Sequence, residues 1–152
     1  MWLKKITAQK NTNLFIREVE ALRKADGRLL ESKNYEVFFA KADKIPHLLY
    51  EIGRLREITF RDVGEGTNKS IDLDKYDNYY HQMFLWDREA NCLVGAYRMG
   101  LGREIYKNYG INGFYIQTLF RIEKENTNSY FYSFSFNILP NMFLLAFPLN
   151  VK

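Results

Sequence analysis

The stretch that decides the fold is His81-Gln-Met-Phe-Leu-Trp-Asp87, then Arg88-Glu-Ala-Asn91, then Cys92-Leu-Val-Gly-Ala-Tyr-Arg-Met99. Two runs rich in aromatic and branched side chains flank a short polar break, which reads as a β-hairpin with its turn near Glu89 to Asn91. Gly100 and Gly102 end the second strand. Upstream, Tyr35-Glu-Val-Phe-Phe-Ala-Lys-Ala42 is strand-like by the same criteria. Between them Ile45, Leu48, Leu49, Ile52 and Leu55 recur at helical spacing, with Asp43 available as a cap and Pro46 in the first turn, where proline is tolerated. A strand, an amphipathic helix and a hairpin, all with apolar faces to bury, predict one sheet with the helix packed on it and an α/β class.

The flanks are less regular. Residues 1–34 read as a basic helical arm or inter-domain linker. Leu14, Phe15, Val19 and Leu22 supply its apolar stripe, Asn13 a cap and Gly27 a stop, with Leu29 and Leu30 able to form a further short turn. Residues 61–80 carry Gly64, Gly66, Asn68 and a cluster of acids and tyrosines, and read as a long polar loop, a class that is usually functional or mobile. Arg103 to Asn108 suit a short helix closed by Gly110, and Phe114 to Ile122 a further strand. Residues 35–124 are thus the expected domain, and residues 125–152 an atypical tail. From residue 126 on, the tail holds a single charged side chain, Lys152, and five of the 12 phenylalanines, in a period-two pattern from Tyr132 to Ile138 that Pro140 interrupts.

Composition excludes several classes. At 152 residues and 47% hydrophobic content the chain can bury a core without disulfides. One cysteine, Cys92, permits no internal bridge, and with two histidines no metal site is expected. A net charge of +4 is too small, and too little clustered around the aromatics, to indicate nucleic acid. No apolar run reaches the length of a membrane span, and the start lacks a signal-peptide pattern, so a cytoplasmic protein is expected, with peripheral contact at the inner membrane left open.

Three constellations carry chemistry. Arg54, Arg56 and Arg61 offer guanidinium forks to a carboxylate or phosphate, or else form a solvated helix face with paired charges. Asp72, Asp74 and Asp77 suit an ammonium group or its proton, or else an acidic loop held by Arg54 or Arg61. In the hairpin, His81 is a candidate general base or a structural histidine, and Cys92 heads an apolar strand as a core residue.

The ordered segments Ile45 to Arg61, Gly64-Glu-Gly-Thr67, Asp72-Leu-Asp-Lys-Tyr-Asp77, His81, Leu85-Trp-Asp87, Val94-Gly-Ala-Tyr-Arg98 and Tyr109-Gly-Ile-Asn-Gly-Phe-Tyr115, with Thr118-Leu-Phe120, resemble the hemolysin-like branch of the GNAT acyltransferase superfamily. That branch includes the ornithine lipid N-acyltransferases and is related to acyl-homoserine-lactone synthases. The resemblance implies a partial GNAT-like fold, a mixed sheet flanked by helices with an N-terminal helical arm. It also implies transfer of an acyl group, from acyl carrier protein or acyl-CoA, to a lipid or amino-acid amine. Arg56, Phe60 and Arg98 match substrate-binding positions; Asp74, Asp77 and His81 are the catalytic candidates. In related proteins this domain follows a phospholipid-type acyltransferase domain, with residues 1–34 resembling the connecting segment. The family's Glu-Leu-Gly-Arg-Ser strand and pyrophosphate-binding turn do not follow Phe120. The expectation is therefore a truncated, weak or inactive acyltransferase that binds no donor tightly. The alternative is a non-catalytic remnant or membrane-peripheral interaction module.

Overall fold

A computed structural model describes residues 3–119 of the chain. Helix α1 (Thr12–Lys24) leads into strands β1 (Arg28–Ser32) and β2 (Tyr35–Lys41), helix α2 (Pro46–Asp62), the hairpin strands β3 (His81–Asp87) and β4 (Cys92–Met99), and helix α3 (Gly102–Tyr109). The strands form one sheet in the order β1-β2-β3-β4. The α/β class expected from the sequence forms, and among the described residues the sheet is antiparallel throughout rather than mixed.

Alternation sets the faces. Phe38 and Ala40 of β2, Phe84 and Trp86 of β3, and Leu93 and Ala96 of β4 share one core with Phe15, Val19 and Leu22 of α1 and Ile45, Leu48 and Ile52 of α2. The expected sheet of Tyr35–Ala40 with the hairpin, covered by the Ile45–Leu55 helix, is therefore present, with Phe38 and Leu48 in the same cluster. A register shift between Leu85 and Trp86 lets β4 accommodate one more residue than β3 there, so both Leu93 and Ala96 reach the core.

Within residues 3–34, α1 packs into the core and β1 joins the sheet. Asn11, not Asn13, caps α1, its side chain accepting from the Asn13 N–H, and the apolar stripe of the helix is buried in the core. Leu29 and Leu30 lie in strand β1, paired with β2 through a tight Lys33-Asn34 turn, rather than in a helical turn. Buried Glu36 ties the two elements to the sheet by accepting from Arg23 and Arg28. Asp43 does not cap α2. The N-cap position is Ile45, which has no side-chain oxygen to offer, and Glu18 of α1 replaces it: its two carboxylate oxygens accept from the His47 and Leu48 N–H groups, each at 2.8 Å.

A second cluster joins Tyr76, Tyr80, Ile105 and Phe114. Gly110 closes α3 at φ +61, as expected of a glycine in that place. Residues 114–118 differ from the expected strand: Ile111–Gly113 and Tyr115–Thr118 are 3-10 turns. Glycine and asparagine at 110–113 break the extended pattern, and the Tyr80 hydroxyl accepts the Tyr115 N–H that a sheet ladder would otherwise use. Residues 120–122 of that expected strand, and the expected tail 125–152, lie outside the described residues.

Candidate functional site

The site begins at Gly53. The segment Asp72-Leu73 runs directly against α2 there: the Asp72 N–H donates to the Gly53 carbonyl at 3.1 Å, and a Cβ on Gly53 would fall 2.6 Å from Leu73. That approach brings the acidic loop onto the turn of α2 that carries Arg56. Asp74 and Asp77, three residues apart, then form a reciprocal capping box around the 3-10 turn Lys75–Asn78. Asp74 Oδ1 accepts from the Tyr76 N–H at 2.8 Å, and Asp77 Oδ2 accepts from the Asp74 N–H at 2.8 Å.

Two arginines complete the network. Arg56 donates through Nε to Asp72 at 3.1 Å and through Nη1 to Asp77 at 2.9 Å. Arg98, near the end of β4, donates through Nη1 to Asp74 at 2.8 Å and lies 3.2 Å from Asp77. Gln82, which faces Arg98 across the β3–β4 register, donates through Nε2 to Asp77 at 3.4 Å. Asp77 is 1% exposed and is met by donors on every side, whereas the Asp74 side chain is 29% exposed. Burial opposes ionisation of Asp74, but the charge and hydrogen bond of Arg98 outweigh it and hold the carboxyl below its ordinary range. Arg56 likewise resists the loss of charge that burial favours, because Asp77 and Asp72 face it.

Aromatic rings close the arrangement around Arg98, whose guanidinium carbon lies 5.8, 5.7 and 5.1 Å from the ring centres of Tyr76, Tyr80 and Tyr115. Burial, with Tyr80 and the neighbouring tyrosines, pushes the Tyr79 hydroxyl up to about 12. In front of the network is a pocket of about 220 Å³, with Arg56, Phe60, Glu65, Asp74, Gln82, Arg98 and Tyr115 in its wall. Glu57 fixes the rim by accepting from Arg61 and from the Thr67 N–H and hydroxyl, which holds the loop carrying Glu65 against the end of α2.

Of the expected site residues, Arg56, Phe60, Asp74 and Arg98 line this pocket, and Asp77 lies behind it as the shared partner of both arginines. His81 does not join them. It stacks on Phe39, ring centres 4.6 Å apart, on the sheet face opposite Gln82 and outside the pocket lining. Burial lowers its pKa. The acidic loop is held by Arg56 and Arg98; Arg54 and Arg61 pair instead with Glu51 and Glu57 within α2. Cys92 is half-buried at the start of β4, and burial pushes its thiol up. Glu65, Gln82 and Tyr115 are pocket residues that the sequence did not single out. The Asp-x-x-Asp capping-box spacing was the available signal for the turn that orders Asp74 and Asp77.

The helix and the hairpin of this α/β domain thus bring Arg56, Arg98, Asp72 and Asp74 to the wall of one pocket, with Asp77 behind them. A sequence profile of the acetyltransferase (GNAT) domain matches residues 55–131, and the chain belongs to this family. Among curated relatives, a glycine N(alpha)-acyltransferase of Phocaeicola vulgatus is 41% identical over 81 residues, covering 51% of this chain and 25% of the relative. A glycine N(alpha)-acyltransferase of Bacteroides thetaiotaomicron is 38% identical over 81 residues, covering 51% of this chain and 24% of the relative. The chain thus matches about a quarter of the length of these relatives. No solved structure matches it significantly. No described helix is long and apolar enough to cross a membrane.

Proposed function

We propose that the pocket is the acceptor side of an N-acyltransferase that passes an acyl group from a thioester to the amine of a small amino acid, glycine foremost. The observation that carries this reading is the Arg56–Asp77–Arg98–Asp74 network fixed at the wall of one small pocket. Carboxylates at the mouth suit an ammonium group, and the guanidinium N–H groups not engaged by the aspartates suit a carboxylate. The volume lies below the roughly 300 to 1,000 Å³ of pockets that enclose drug-sized ligands, which favours a compact acceptor. The names of the two relatives, both glycine N(alpha)-acyltransferases, support the same substrate class.

In this reaction the amine nitrogen attacks the thioester carbonyl carbon. The C–N bond forms, the C–S bond breaks, the sulfur leaves as a thiol, and the amine loses one proton. Asp77, enclosed by its donors, holds Arg56 and Arg98 in place; Asp74 is the member of the pair that faces the ligand. The donor is an acyl carrier protein thioester or acyl-CoA. A lipid amine, as in ornithine lipid synthesis at the inner membrane surface, is the competing acceptor.

Single-turnover incubation of the purified chain with acyl-CoA or acyl carrier thioesters, against glycine, ornithine, other amino acids and a lipid amine, tests the reading by mass spectrometry. The expected product is N-acylglycine, slowly formed by this chain alone and diminished at least tenfold by Asp74→Asn, the loss of about one charge-assisted hydrogen bond. Absence of amine-dependent product with every donor overturns the proposal and puts the non-catalytic interaction module in its place.

A further inference from the structure

The acids around the pocket differ in how much of their charge is already engaged. Asp72 pairs with Arg56, and Asp77 with both Arg56 and Arg98. Asp74 pairs with Arg98, and its Oδ1 also accepts from the Tyr76 and Asp77 N–H groups. Glu65 is the exception. It lies in the pocket wall, it is exposed, and among the described residues its carboxylate forms no ion pair or hydrogen bond. Its backbone, by contrast, is held on both sides. The Glu65 N–H donates to the Phe60 carbonyl at 2.7 Å, and Gly64 turns the chain at φ +79. Gly66 lies so close to Arg61 that any Cβ would overlap that side chain, and the Thr67 N–H and hydroxyl both bind Glu57. The turn therefore presents a free carboxylate at a fixed place on the rim. Four acids, Glu65, Asp72, Asp74 and Asp77, face two arginines, so the excess negative charge calls for a cationic group.

We propose that Glu65 is the ammonium anchor of the acceptor site: its carboxylate binds the charged amine of the incoming substrate and so selects ligands that carry a positive charge. The inference rests on the acceptor-side reading for the identity of the ligand. Asp74 is the weaker partner for an ammonium group, because Arg98 and two backbone N–H groups already draw on its charge and hold its carboxyl low. Glu65 has both carboxylate oxygens to offer. An ammonium group donates up to three hydrogen bonds, and at the exposed rim it can keep water on those that Glu65 does not take. A hydroxyl at the same place carries no charge and gains little from the contact. Selection of the ammonium group is thus the signature of Glu65.

The test is NMR titration of the full chain with glycine, methylammonium and glycolate, which carry both charges, the ammonium alone and the carboxylate alone. Glu65→Gln is expected to weaken glycine and methylammonium about five- to tenfold, as for a charge-assisted contact at a partly solvated site, and to weaken glycolate not at all. Glu65→Asp, which keeps the charge on a shorter side chain, is expected to retain part of the lost affinity. Asp62→Asn removes the same charge from an exposed position at the end of α2, outside the pocket lining, and is expected to leave all three ligands unchanged. The urea midpoint of Glu65→Gln should equal that of the wild type, since the carboxylate has no partner to lose among the described residues. A wild-type protein that binds neither glycine nor methylammonium overturns the proposal. So does a Glu65→Gln protein with wild-type affinity for both, or an Asp62→Asn protein weakened as much as Glu65→Gln, which would make the effect one of general field. Glu65-dependent binding without acyl product would leave the anchor standing and remove the transfer reading; acyl transfer to glycine that Glu65→Gln leaves at the wild-type rate and apparent affinity would do the reverse.

Discussion

Asp77 has two cationic partners, yet almost no contact with solvent. A carboxylate in that position is tolerated because Arg56, Arg98, Gln82 and the Asp74 N–H replace its hydration, and removing its charge leaves two guanidiniums sharing too few acceptors. Asp77→Asn is therefore expected to cost about 3–5 kcal/mol, read as a lower urea midpoint at unchanged slope. Asp74→Asn, at a partly exposed site, is expected to cost about 1 kcal/mol. Equal losses in the two variants would contradict this division between a buried partner of both arginines and a ligand-facing group. Acid sensitivity follows from the same geometry. Asp74 is held below its ordinary range despite burial, and Glu36 is held low by its hydrogen bond to Arg23, against burial and with help from Arg28. Their contribution is complete above the unfolded carboxylate values of about 4 and is lost as pH falls through the lower folded-state values. Thermal melts from pH 6 downward should show stability declining below about pH 4, with a shallower decline in Asp74→Asn; a midpoint independent of pH would refute this.

Among the elements, α2 depends on residues distant in sequence at both its start and its middle. Glu18 caps its first turn from α1, so Glu18→Ala is expected to lower stability by about 1–2 kcal/mol, although the position lies in another helix. Gly53 admits the Asp72-Leu73 segment, and Gly53→Ala is expected to cost about 1–3 kcal/mol by overpacking and, on the proposed acceptor-side reading, to weaken glycine binding by displacing Asp72 and Asp74 from the arginines. A Gly53→Ala protein with wild-type midpoint and affinity would show that the loop does not depend on that close approach. These contacts explain what could be read in advance. The hairpin, α2 and α3 carry local signals: alternation, helical period, proline at the start and glycine at the end. Glu18 as a cap and Gly53 as a contact surface have no local signature, because their partners are 30 and about 20 residues away. Gln82 was hidden for another reason. Met83 and Leu85 on one face of β3 are about as apolar as Phe84 and Trp86 on the other, so alternation alone does not tell which face meets the helices.

At the scale of the whole molecule, charge pattern and family resemblance brought Arg56, Asp74, Asp77 and Arg98 forward together, and they meet because one sheet carries both the hairpin and the helix. The first 34 residues were harder to place, since a basic amphipathic segment is compatible with an independent arm as well as with a core helix. Packing distinguishes the two. Phe15, Val19 and Leu22 cover Phe38, Ile45 and Leu48, while β1 pairs along β2 and leaves Leu29 and Leu30 exposed on its outer edge. Fully burying one such large apolar side chain contributes about 1.5–3 kcal/mol, so loss of three together approaches the whole stability of an ordinary domain. A chain lacking residues 3–32 is accordingly expected to lose cooperative unfolding, not merely to melt a few degrees lower. It would also lose the Glu18 cap on the helix that carries Arg56. Circular dichroism melts and amide exchange on the shortened chain would decide: a sharp transition with protected β3 and β4 amides would mean that residues 3–32 form a dispensable arm. Broad melting and unprotected hairpin amides are expected, because α1 forms one wall of the core against which the site is built.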